Sequence, residues 1–125
     1  MWLMTPLGFY STVCARADGG KSPDLDPDLL MVRVRDPQHL DNLQSQFPQL
    51  RGCTRTSSIG TDYPARMFVS KRMWADVVRA LVLDLDYGNF KSRVSAARLT
   101  APSYGAALHS VWSVMHRVEP REDRR

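Results

Sequence analysis

The chain has 125 residues, enough for one domain with a real core and too few for two independent ones. Hydrophobic residues make up 43% and charged residues 24%, the proportions of an ordinary globular protein, and no internal repeat or long low-complexity stretch is visible. A net charge of +4 is mildly basic, compatible with nucleic acid or an acidic protein partner and diagnostic of neither.

In chain order, Met1-Trp2-Leu3-Met4 opens apolar, but no Lys or Arg precedes Arg16, and Thr5, Pro6 and Gly8 interrupt the run. Neither a signal peptide nor a membrane span fits, so a cytoplasmic location without membrane contact is expected. Phe9 to Cys14 is rich in β-branched and aromatic residues and predicts a first strand. Residues 17–28, with Gly19, Gly20, Pro23, Pro27 and four aspartates, have the composition of a long exposed hairpin loop. Leu30 to Arg35 alternates, predicting a strand with Leu30, Val32 and Val34 inward and Arg33 and Arg35 outward.

Asp36-Pro37 starts a helix, with Asp as N-cap and Pro at the first helical position, and Pro48 ends it. Its stripe is Leu40, Leu43 and Phe47. Cys53 to Ser57 and Arg66 to Val69 predict two more strands, and Cys14 and Cys53 read as reduced, buried thiols in strands. Ser70 caps the strongest helix, with Trp74, Val77, Val78, Leu81 and Leu85 on one stripe. Gly88 interrupts it, and Phe90 and Val94 continue it beyond a kink. Pro102 and Ser103 open a last helix with Tyr104, Leu108, Val111, Trp112, Met115 and Val118 on one side. This order predicts an α+β fold: a four-stranded antiparallel sheet with helices packed on one face (ββαββαα). It forms a single-domain two-layer sandwich over residues 1–118, followed by a disordered charged tail, 119–125.

Motifs that would bind a cofactor fail on context. Ala15 to Ser22 matches a relaxed phosphate-loop pattern, but Pro23 and Pro27 forbid the helix that must follow its lysine, so no nucleotide is expected. Asp24, Asp26 and Asp28 lack the later Gly and the bidentate Glu of a calcium loop. His109 and His116 are seven residues apart, wider than helical ligand pairs, and His39 has no companion. No metal, cofactor or catalytic residue is therefore assigned.

Two polar-aromatic clusters stand out, Gly60 to Arg66 and Asp84 to Lys91. Asp84 and Asp86 fall at the negative end of the long helix, where an unpartnered acid costs about 0.3–1 kcal/mol, so Arg66 or Lys91 is expected to neutralise them. Asp62 is expected to close its turn through its side chain. Together Asp62, Tyr63, Arg66, Asp84, Asp86, Tyr87, Asn89 and Lys91 form a candidate polar binding site. A structural salt-bridge network is the plainer account of the same residues. Separately, Arg33 and Arg35, with Arg55 on a neighbouring strand and Tyr10 and Thr12 beside them, would give an uncovered sheet face suited to nucleic acid.

Met1-Trp2-Leu3 with Thr5 and Gly8-Phe9-Tyr10-Ser11 resembles the opening of a family of small uncharacterised bacterial proteins. The likeness continues through Val32-Arg33-Val34-Arg35, the Gly-Thr-Asp-Tyr-Pro-x-Arg segment at 60–66, the Asp-Tyr-x-Asn-Phe-Lys segment at 86–91 and Val111-Trp112. The resemblance spans nearly the whole chain and implies a shared architecture; it lends no activity. The expectation is a small cytosolic binding or regulatory module without catalytic activity, acting through a protein partner or a homodimer. The alternatives are a nucleic-acid-binding protein using the arginine-bearing face and a small enzyme with an Asp/Tyr/Arg site.

Overall fold

In the computed structural model, which describes residues 1–122, the strands are β1 (Trp2–Thr5), β2 (Gly8–Arg16), β3 (Leu25–Val34), β4 (Arg55–Ser57) and β5 (Ala65–Ser70). The helices are α1 (Pro37–Gln46), α2 (Lys71–Leu83), α3 (Phe90–Ala97) and α4 (Pro102–Met115). The predicted caps are present: the Asp36 side chain accepts from the Gln38 N–H at 3.0 Å and Ser70 Oγ from the Met73 N–H at 3.2 Å. Each satisfies one backbone donor that a helix leaves orphaned at its start.

The five strands form one antiparallel sheet in the order β1-β2-β3-β5-β4. The α+β class stands, but the sheet has five strands, not four, because the apolar opening is itself an edge strand. Thr5 closes the β1–β2 hairpin: its hydroxyl accepts from the Leu7 and Gly8 N–H groups at 3.1 and 3.2 Å. The predicted hairpin loop at 17–28 is shorter, because β3 already begins at Leu25 and pairs with Arg16. Asp26 is occupied there, its Oδ1 accepting from the Asp28 and Leu29 N–H groups.

Register fixes which face each residue occupies, since directly paired residues point the same way and neighbours along a strand alternate. Leu3, Tyr10, Leu30, Val32, Val34, Met67 and Val69 face α1 and α2 and join Leu40, Leu43, Trp74 and Val77 in the main core. On the opposite face, Met4 and Phe9 pack against Val94, Tyr104 and Leu108 of α3 and α4. The expected one-sided layering therefore holds for α1 and α2 only. Tyr104 pins α4 to β1, its hydroxyl donating to the Thr5 carbonyl at 2.9 Å.

Two helix stripes end sooner than their periodicity implies. Leu85 lies beyond α2 and is exposed, and of the α4 stripe only Tyr104 and Leu108 are buried, while Trp112, Met115 and Val118 face out. The long helix does not kink at Gly88 but ends, and α3 starts afresh with Asn89 as its N-cap, accepting from the Ser92 N–H at 2.9 Å. Of the predicted tail, residues 119–122 have no regular secondary structure and 123–125 lie outside the described residues.

Candidate functional site

One residue from each strand lines up across the sheet face opposite α1 and α2. The successive pairs Trp2–Ser11, Ser11–Arg33, Arg33–Arg66 and Arg66–Thr56 make a single transverse row. Arg33 Nη2 donates to Ser11 Oγ at 2.7 Å, and its guanidinium sits 4.4 Å from the centre of the Tyr63 ring, a cation–π distance. Arg66 reaches only the sulfur of Met31, 3.9 Å away. The next row, Val13–Met31–Phe68, is apolar and half-buried.

A second feature lies at the other side of the sheet. Met1 and Thr12 exchange both backbone bonds at 2.8 Å, so by antiparallel alternation Leu3 bonds inward to Tyr10. Trp2 and Met4 then turn their N–H and C=O groups out to the free edge of β1. Beside that edge runs a groove of about 210 Å³ between β1 with its turn and the end of α2. Leu3, Leu7, Val78, Leu81, Val82 and Leu85 make its wall apolar, and Asp84, Asp86 and Arg93 set charge on its rim.

These features divide the predicted polar site in two. Tyr63 and Arg66 belong to the arginine row beside β5, whereas Asp84, Asp86 and Tyr87 line the groove beside β1, with β2 and β3 between them. Asp86 does meet a cation, but it is Arg93, at 3.8 Å, and not Arg66 or Lys91. Both partners are well exposed, so the pair contributes at most about 1 kcal/mol. Asp62 enters through its carbonyl, which accepts from Arg35, while the turn is closed by the Thr61 hydroxyl donating to the Tyr63 carbonyl at 2.9 Å. Asn89 is a helix cap, and Lys91 lies 5.6 Å from the Trp112 ring.

The nucleic-acid candidates are divided as well. Tyr10 is fully buried on the α1 side, its hydroxyl donating to the His39 carbonyl at 2.7 Å, and Thr12 is buried with it. Arg55 pairs in register with core-facing Met67 and so points to α1, where it donates to Asp41 at 2.6 Å. Arg33 and Arg35 stay on the face opposite α1 and α2, which α3 and α4 cover only at Met4 and Phe9, and Arg66 joins them. Cys14 lies in β2; Cys53 precedes β4, outside any strand, and burial raises its pKa.

The groups whose protonation the fold displaces most lie around His39. Its Nδ1 accepts from the Phe9 N–H at 3.2 Å, and burial lowers its pKa, so the ring is neutral at pH 7. Burial raises the pKa of Tyr10 and of Tyr104 on either side. His39 was legible in the sequence only as a lone histidine one turn into a helix. Among the described residues, no three His, Cys, Asp or Glu side chains are placed to hold a metal ion, and no helix is long and apolar enough to cross a membrane. Compared with protein-family models, curated proteins and solved structures, the chain finds no match.

Proposed function

We propose that the chain is a small cytoplasmic binding module without catalytic activity, which captures an extended segment of a protein partner on the free edge of β1. The observation that carries this is the outward-facing backbone of Trp2 and Met4 beside an apolar groove. A strand added to an edge gains main-chain hydrogen bonds, and alternate side chains enter the adjoining groove. Here those side chains would meet Val78, Leu81, Val82 and Leu85. Asp84, at the negative end of α2, has no cationic partner among the described residues, so the segment carries a Lys or Arg at that end. The free thiols of Cys14 and Cys53 accord with a reducing compartment.

Selection from a library of random ten-residue peptides tests the reading. Enriched peptides are expected to alternate apolar residues and include a basic one. Trp2→Pro, which removes an outward N–H from an exposed residue and leaves the β1–β2 ladder intact, should weaken them about tenfold or more. Peptides that bind Trp2→Pro as tightly as the native chain would contradict it.

A further inference from the structure

The arginine row contains a relationship that an isolated fold would not favour. Arg33 and Arg66 are directly opposite each other on neighbouring strands, where Cβ atoms stand about 4.5–5.5 Å apart and like charges destabilise the pair. Both are half-buried, and the Nε of each is buried without a hydrogen-bond partner. Arg35, next on the same face of the chain, spends a donor on the Asp62 carbonyl. None of these three arginines forms a salt bridge among the described residues, although Arg55 and Arg93 each find an aspartate. Tyr63 holds the Arg33 guanidinium from its face and Ser11 Oγ takes one Nη2 donor, leaving the remaining edge donors for a ligand.

We propose that Arg33 and Arg66, with Tyr63 and Arg35 at the rim, form a binding site for a phosphoryl dianion, free phosphate or a phosphate monoester. Arg33 and Arg66, paired in register across β3 and β5, bring N–H donors with a combined charge of about +2 to one face of the sheet. A carboxylate neutralises one of them; a phosphate group carries close to two negative charges at pH 7 and three acceptor oxygens, and neutralises both. A phosphodiester of a nucleic acid brings one charge per phosphate and would need a longer basic track, which Arg55 does not supply because it faces α1. The site is distinct from the β1 edge, so either can fail without the other.

Calorimetric titration of the full chain at low ionic strength, with inorganic phosphate and separately with glycerol phosphate, tests this and distinguishes free phosphate from a monoester. Saturable one-to-one binding of at least one is expected. Arg33→Met or Arg66→Met should weaken it about tenfold or more, and Arg66→Lys less, because the charge remains but the fork is lost. Arg79→Met on the exposed side of α2 should leave it unchanged. Melting without phosphate gives a second readout. Relief of repulsion keeps Tm of Arg66→Met at or above the native value, whereas an arginine that merely holds the sheet together would lower it. No binding by the native chain, or binding that survives both methionine variants, would overturn the proposal. So would a lowered Tm with binding retained, or affinity for single-stranded oligonucleotides alone that grows with their length.

Discussion

Gly8 lies against the imidazole of His39. A Cβ built on Gly8 would stand 2.3 Å from His39 Cγ, and the φ of +149° at Gly8 is one that side chains rarely adopt. This contact lets the Phe9 N–H reach His39 Nδ1 and brings the start of β2 onto α1. Gly8→Ala combines overpacking with backbone strain, each worth about 1–3 kcal/mol, and should lower stability by about 3 kcal/mol or more in urea denaturation.

The same histidine sets a pH dependence. Burial lowers its folded-state pKa below the unfolded value of about 6.5, while Asp36 opposes the shift. Between the two values the unfolded chain holds the extra proton, so stability rises with pH in that window. The contribution is fully present above about pH 6.5 and is lost as pH falls from there through the folded-state pKa. Urea midpoints measured downward from pH 7.5 (a value set about one unit above the unfolded pKa) should decline in that window, and His39→Gln should flatten the decline. A native midpoint constant across the window would contradict the assignment.

Tyr104 ties α4 to the first hairpin through one buried hydrogen bond to the Thr5 carbonyl. Tyr104→Phe keeps the ring and leaves that carbonyl without its donor, which should cost about 1–3 kcal/mol by equilibrium denaturation. A loss within error of zero would mean that water replaces the hydroxyl.

Much of the fold was legible where local chemistry decides it. Asp36-Pro37 and Ser70 announce their helices because an N-cap needs only the following turn, and Val32 and Val34 declare their face because Arg33 and Arg35 alternate with them. The segment Phe9 to Cys14 has no such contrast: almost every side chain is apolar or small, so period two cannot say whether Phe9 or Tyr10 points inward. Its pairing with β3 decides, and that is a tertiary fact. β1 is too short, at four residues, to carry a periodic signal, and it becomes a strand by pairing with β2. The two polar clusters share composition but not a location, and spacing along the chain holds no measure of the strands between them. Arg93 was hidden for the same reason, as one of the two basic residues of α3, with Lys91 nearer to the cluster in sequence.

The Asp86–Arg93 pair bears on whether the second cluster is a structural network. Each side chain is largely in water, so Asp86→Asn should change stability by less than about 1 kcal/mol, measured by thermal melting at low salt. A larger loss would give the cluster the clamping role that its separation from Arg66 argues against.

The capture of an extended segment by β1 is tested most directly by amide hydrogen exchange of the native chain, alone and with the tightest peptide from the library selection. The Trp2 and Met4 amides, which face the free edge, should exchange quickly in the free protein and slowly in the complex, while Leu3, already bonded to Tyr10, stays protected in both. Protection that leaves Trp2 and Met4 unchanged and falls elsewhere, such as on β5, would contradict the account.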